Sequence, residues 1–114
     1  MKDCIFCKIG KHELQAMVVF ESEEIIAFRD INPEAPVHVL IAPKKHYTAL
    51  KDFQQADEAL LGRICIAAHQ IALKERIADK GYRIIWNNGP DGQQTVPHVH
   101  LHLLGGRKMK WPPG

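Results

Sequence analysis

Only three cysteines occur in the 114 residues, an odd number that argues against a disulfide framework and for a reducing compartment. No apolar run is long enough to cross a bilayer, and the opening Met1-Lys2-Asp3-Cys4 lacks the apolar stretch of a secretory leader. The expected location is the cytoplasm. An excess of one charge is missing too: 15 Lys and Arg stand against 13 Asp and Glu, a formal net charge of +2. So even a balance gives no nucleic-acid or membrane surface. No repeat or low-complexity tract divides the chain, and its length suits a single domain, 1–114, with one modest core.

Histidine is what the chain does have. Of its seven histidines, three alternate with apolar residues from His98 to Leu103. Alternation at period two predicts a half-buried strand, with His98, His100 and His102 on one face and Val99, Leu101 and Leu103 on the other. The apolar face belongs on a core, which aims three imidazoles toward something polar. At about 6.6 Å per residue pair the outer two lie roughly 13 Å apart. One metal ion shared by all three is therefore awkward, and divided roles are expected. The alternative is a solvated face that happens to be rich in His.

The remaining pattern supplies a frame for that strand. Cys4 to Lys8 suits a helical turn. Met17 to Glu21 and Ile25 to Asp30 read as a hairpin around Ser22-Glu23-Glu24, with Ile26, Phe28 and Asp30 sharing a face. Asn32-Pro33 and Ala35-Pro36 impose an extended connection. Val37 to Ala42 is a further strand that sets His38 beside Leu40, and Pro43 ends it. From Gln54 to Glu75 the period becomes helical, with Leu60, Ile64, Ala67, Ala68 and Ile71 in one stripe. Asp52 and Gln55 have capping-box spacing, and Gly81 is the expected terminator. Cys65 and His69 read as core and surface residues of that helix. Tyr82 to Trp86 is another strand, followed by the turn-forming Asn87 to Gly92. Several strands around one long helix predict an α+β fold with a mostly antiparallel sheet.

His98-Val99-His100-Leu101-His102-Leu103-Leu104 resembles the motif of the histidine-triad (HIT) superfamily. Gly105-Gly106-Arg107 and the closing Trp111-Pro112-Pro113-Gly114 resemble its Hint branch, and the likeness extends from Cys4 to Gly114. The resemblance implies a five-stranded HIT-like fold with one long helix and a short N-terminal helix. It also implies roles. His100 would be the nucleophile that carries a nucleotidyl group, with a main-chain carbonyl near His98 orienting it. His102 would serve the phosphate and leaving-group side, and His38 would be a fourth active-site histidine. Phe6, Ile9, Phe28, Ile31 and Leu40 match a base pocket, Asp30 a ribose contact, and Asn87, Gln94 and Thr95 a phosphate loop. Core packing is the other reading of the apolar members. Gln93 stands where such proteins commonly have Gly; if that Gly adopts a positive φ, the loop here must bend differently.

Cys4 and Cys7 have metal-ligand spacing but make half a site. Completed by His46 and His98, as in some HIT proteins, they would hold a structural Zn2+ with no open position. A pair of partly buried free thiols is the alternative. The implied activity is cleavage of the P–N bond of purine nucleoside phosphoramidates, releasing an amine and AMP, with no cofactor required for catalysis. A diadenosine polyphosphate hydrolase of the Fhit type and a nucleotide-binding interaction module with incidental catalysis are the alternatives. Purine nucleoside monophosphate derivatives are the expected ligands, with neither nucleic acid nor membrane as partner. Hint proteins look like two-fold dimers, so a homodimer is expected, with Trp111 docked near the partner's site.

Overall fold

The computed structural model describes residues 3–114. After helix α1 (Ile5–Gly10) come strands β1 (Val18–Glu21), β2 (Ile25–Arg29) and β3 (Val37–Pro43), then helix α2 (Glu58–Lys74), then β4 (Tyr82–Trp86) and β5 (Leu101–Gly105). The five strands form one sheet in the order β1-β2-β3-β5-β4, and every pairing is antiparallel. The expected α+β architecture is what the chain adopts.

The central strands have both faces covered. Ile25, Ala27, Val39, Ile41, Leu101 and Leu103 point to α2 and meet its buried stripe, Leu60, Ile64, Ala67, Ala68 and Ile71. On the opposite face Ile26, Phe28, Leu40 and Ala42 pack against Phe6 and Ile9 of α1. Two-sided burial explains why β2 and β3 read as continuous apolar runs. Gly105 ends β5 where the Ile77 side chain fills the space a Cβ would need.

The ends of α2 differ from expectation. Its first turn begins at Glu58, while residues 50–52 and 55–57 form two separate 3₁₀ turns. The Asp52 carboxylate accepts from Ala49 N–H at 3.0 Å, not from a residue of the helix. Asp57 closes the second turn, accepting from Gln54 N–H at 2.9 Å and from the Tyr47 hydroxyl at 3.0 Å. At the other end the terminator is Arg76, not Gly81. Arg76 takes the left-handed conformation at φ 61°. Its N–H bonds Leu73 O at 3.2 Å while Ile77 N–H bonds Ala72 O at 3.0 Å, the two bonds of a Schellman stop. Ile77, 6% exposed, seals the stop against the core. Gly81 closes the next turn instead, its N–H bonding Ile77 O at 3.1 Å.

Candidate active site

The sheet register decides which histidines meet. His38 and His102 lie on adjacent strands, with Leu40 opposite His102 and His38 opposite Leu104. Both point away from α2, and His38 Nε2 lies 2.9 Å from His102 Nδ1. The triad segment is shorter as a strand than its alternation predicts, for pairing starts at Leu101. Continued, the ladder would bring Val99 to Pro43, which has no N–H to offer. Val99 N–H bonds Tyr47 O at 2.7 Å instead, and His98 N–H turns back to Val96 O at 2.8 Å.

Two of the three imidazoles do not face an open polar surface. His98 is fully buried and His100 only 5% exposed. Phe6 of α1 covers them, its ring centroid 4.8 Å from that of His100 and 5.6 Å from that of His98. Desolvation is accordingly the first cause that lowers every imidazole of the group below its usual range. His98 and His102 are each pushed down to about 4, and His38 and His100 are lowered too. For His102 the positive charge that His100 and His38 could carry lowers it further. All four are neutral near pH 7.

Hydrogen bonds to the main chain then fix where each proton sits. A carbonyl can only accept, so His98 O, 2.7 Å from His100 Nδ1, holds a proton on that nitrogen and leaves Nε2 with its lone pair. Pro43 O, 2.8 Å from His98 Nε2, does the same there and frees His98 Nδ1. Glu34 N–H can only donate, and it lies 3.0 Å from His38 Nδ1. His38 therefore carries its proton on Nε2 and donates to His102 Nδ1, which places the His102 proton on Nε2. An unprotonated nitrogen on His100 thus stands beside a protonated one on His102, with ring centroids 4.9 Å apart.

The freed His98 Nδ1 faces a set of metal-ligand atoms. It lies 3.3 Å from Cys4 Sγ, 3.6 Å from Cys7 Sγ and 3.2 Å from His46 Nδ1, while Cys7 Sγ is 3.3 Å from His46 Nδ1. Bonds of about 2.0–2.3 Å to a tetrahedral zinc set edges of roughly 3.3–3.8 Å, so the cluster fits that ion. Burial first, and then Cys4, push the Cys7 thiol up, so a thiolate there calls for a cation beside it. The four residues fit a structural Zn2+. A second group, Asp30, His38 and His102, also has its donor atoms close together. Its chemistry does not fit: the Glu34 N–H on His38 Nδ1 keeps the proton on Nε2, the atom a metal would need.

A cavity of about 940 Å³ opens on the same face of the sheet. His38, His100, His102 and Thr95 line it together with Phe6, Ile9, Phe28, Asp30, Ile31 and Leu40. Phe6, Ile9, Phe28 and Leu40 are also core residues, but Ile31 is 90% exposed and serves no packing. Asp30 presents Oδ2 at 3.4 Å from His38 Nε2 and caps Asn32 N–H through Oδ1 at 2.8 Å.

Two of the expected loop residues sit elsewhere. Gln94 braces the loop: its Nε2 donates to Thr48 O at 2.7 Å and Val96 O at 3.1 Å, and its Oε1 accepts from Gly89 N–H at 3.0 Å. Asn87 is half-buried at the end of β4 and does not line the cavity. Gln93 does line it, and so do Leu14, which lies outside any periodic segment, and Met17, which the sequence pattern marks only as the start of a strand. Gln93 itself takes a left-handed conformation, at φ 63°, which a glycine would adopt freely. Trp111, expected to dock, is 80% exposed on this chain, its ring 5.9 Å from the Arg83 guanidinium.

The HIT domain family profile matches residues 11–109. A 14 kDa zinc-binding protein of Zea mays is 48% identical over 112 residues, covering 96% of this chain and 87% of that protein. The crystal structure of a HIT family hydrolase from Legionella pneumophila Philadelphia 1 superposes with a TM-score of 0.96 at 51% identity, over 98% of this chain and all of that one (100%). A histidine triad nucleotide-binding protein from Candida albicans gives 0.82 at 32% identity, over 96% and 83% of the two chains.

Proposed function

The chain belongs to the HIT domain family, and on that premise we propose that it hydrolyses purine nucleoside phosphoramidates through a nucleotidyl-histidine intermediate. The observation that carries this reading is the pairing of a bare His100 Nε2 with a proton-bearing His102 Nε2 in the wall of the cavity. His100 Nε2 attacks phosphorus, the bond from phosphorus to the amine nitrogen breaks, and the His102 proton leaves with the amine. His38 then holds the deprotonated imidazole of His102 in place. In the second half, water adds to phosphorus, returns a proton to His102, and the bond from phosphorus to His100 breaks to release the monophosphate.

The other residues bind and exclude water. Asp30 would accept ribose hydroxyls, Ile31 and the buried aromatic and aliphatic wall would hold the base, and Thr95 would donate to a phosphate oxygen. Gln94 would support that loop rather than touch the nucleotide. Cys4, Cys7, His46 and His98 would hold Zn2+, which when bound supplies structural cross-linking and no open coordination position. The exposed Ile84 on edge strand β4 and the exposed Trp111 support a homodimer.

The assay is hydrolysis of an AMP-amine by wild type and His100→Ala. The variant is expected to lose about a thousandfold or more in kcat/KM while still binding AMP. Mass spectrometry of acid-quenched wild type should find an adenylylated histidine. Retained turnover in His100→Ala would remove His100 from the role of nucleophile.

A further inference from the structure

We propose that Arg107 is a positioning residue, which clamps the main chain of Glu34 and so fixes the order of protons between His38 and His102. The inference rests on the phosphoramidate reading above and goes past it by naming what keeps the proton donor in its working form.

Glu34 stands in the connection between β2 and β3, where its N–H bonds His38 Nδ1 at 3.0 Å. Among the described residues, no main-chain group bonds either its N–H or its carbonyl. Its neighbours have little freedom: Pro33 has a fixed φ, and Pro36 holds Ala35 toward extended backbone. What remains to be fixed is Glu34 itself, and Arg107 does so. Arg107 Nε donates to Glu34 O at 3.1 Å and Nη2 donates to the same oxygen at 2.9 Å. Its Nη1 donates to Lys108 O at 3.3 Å, so each guanidinium nitrogen is tied to main chain.

The sheet register brings Arg107 to that place. Gly105 pairs with Val37, so the chain leaving β5 runs back along the chain that enters β3. Gly106 takes φ 90°, and a Cβ there would meet Pro36 Cβ at 2.8 Å. Glycine alone lets the two segments pass so closely. Arg107 follows directly and reaches across to Glu34 O. The fork of its guanidinium suits one oxygen gripped by two N–H groups, which a lysine ammonium cannot reproduce.

With Glu34 N–H on Nδ1, His38 keeps its proton on Nε2, and His102 keeps its own on Nε2. If Glu34 swings away, a water on His38 Nδ1 can accept as readily as donate. The reversed order then opens, with both His38 and His102 protonated on Nδ1 and still one proton on each ring. His102 Nε2 is bare in that order and has nothing to give the leaving amine.

Nitrogen NMR of labelled protein without substrate reads the two orders directly from the imidazole shifts. Arg107→Ala should shift the tautomer ratio of His38 and His102 toward Nδ1–H by about fivefold, the factor of one ordinary hydrogen bond. Arg107→Lys keeps the charge but not the fork, and should shift it the same way by less. It also serves as the test should Arg107→Ala not fold. Kinetics then use AMP propylamide, whose amine must leave with a proton, and the p-nitrophenyl ester of AMP, whose phenolate leaves without one. For the variants, kcat/KM on the amide should fall in proportion to the lost His102 Nε2–H, while the ester is turned over as by wild type. A merely structural role would lower both alike, and that result would remove Arg107 from proton positioning. An unchanged tautomer ratio in both variants would overturn the clamp itself. If wild type turns over no amide but the ratio still responds to Arg107, the phosphoramidase reading fails and the clamp stands.

Discussion

At the residue scale, the site depends on imidazoles that stay neutral. His102 ordinarily titrates at 6.5 and is pushed down to about 4, with burial the first cause. The unfolded chain thus binds a proton between those values that the folded chain refuses, and stability rises with pH across that window. Activity should follow the same direction. We expect kcat/KM to hold level as pH falls through 6.5, where an ordinary histidine is half protonated, and to drop only on approach to the lowered values. A pH–rate profile in which activity halves near 6.5 would mean that the essential histidines are not desolvated. The alternation of His98, His100 and His102 was legible in the sequence because a period of two is a local property. Their burial was not, since it depends on Phe6 arriving from a helix some 90 residues away in the chain. The proton positions were equally hidden: Glu34 N–H, Pro43 O and His98 O act through the main chain, which carries no side-chain signature.

At the scale of elements, the body of α2 and the strands are readable from periodicity, whereas their ends are not. Tertiary bonds decide the ends: Asp57 is held by Tyr47, and β5 starts where Pro43 can no longer pair. Arg76 is the clearest case, because pattern reasoning expects glycine to stop a helix and here arginine does. Arg76→Gly should stabilise the protein by about 0.5–1 kcal/mol, the relieved left-handed strain less the added chain entropy of glycine. Thermal melting should register this as a rise of a few degrees. A lower melting temperature would show that the Arg76 side chain contributes more than its backbone costs. Helix α1 has only six residues and cannot persist alone. Its docking relies on Phe6 and Ile9 in the core and on Cys4 and Cys7 beside His46 and His98. Protein purified without chelator should contain about one zinc per chain. Stripping it, or making Cys7→Ser, should lower both metal content and melting temperature. A metal-free protein of unchanged stability would leave the thiols as simple packing residues.

For the whole molecule, the sheet leaves β4 as an open edge, and the tail runs beside it. Arg83 Nη2 donates to Lys110 O at 3.0 Å, so the tail is tied to β4 up to the point where Trp111 emerges. With 80% of Trp111 in solvent, most of the indole stays unpacked in the isolated chain. In a two-fold dimer the tail would complete the partner's site. Truncation after Lys108 should then change the preference between two amines of different size more than it changes AMP affinity. The comparison needs kcat/KM for both amines and the AMP dissociation constant, in full-length and truncated protein. An unchanged preference would make the tail structural only, and collapse of AMP binding would assign it to the nucleoside pocket.

The main-chain bonds on the histidines also bear on how such a site can diversify. Glu34 N–H, Pro43 O and His98 O cannot be altered by exchanging the side chains that bear them, so long as the backbone path is kept. The proton arrangement is in that sense insulated from mutation. Around it Leu14, Met17, Ile31 and Gln93 line the cavity with side chains, whose exchange leaves those main-chain bonds in place. Divergence of substrate range and preservation of the chemistry are thereby assigned to different parts of the polypeptide. A laboratory selection for new leaving groups should accumulate its changes in that lining and spare Glu34, Pro43 and His98 from insertions or deletions.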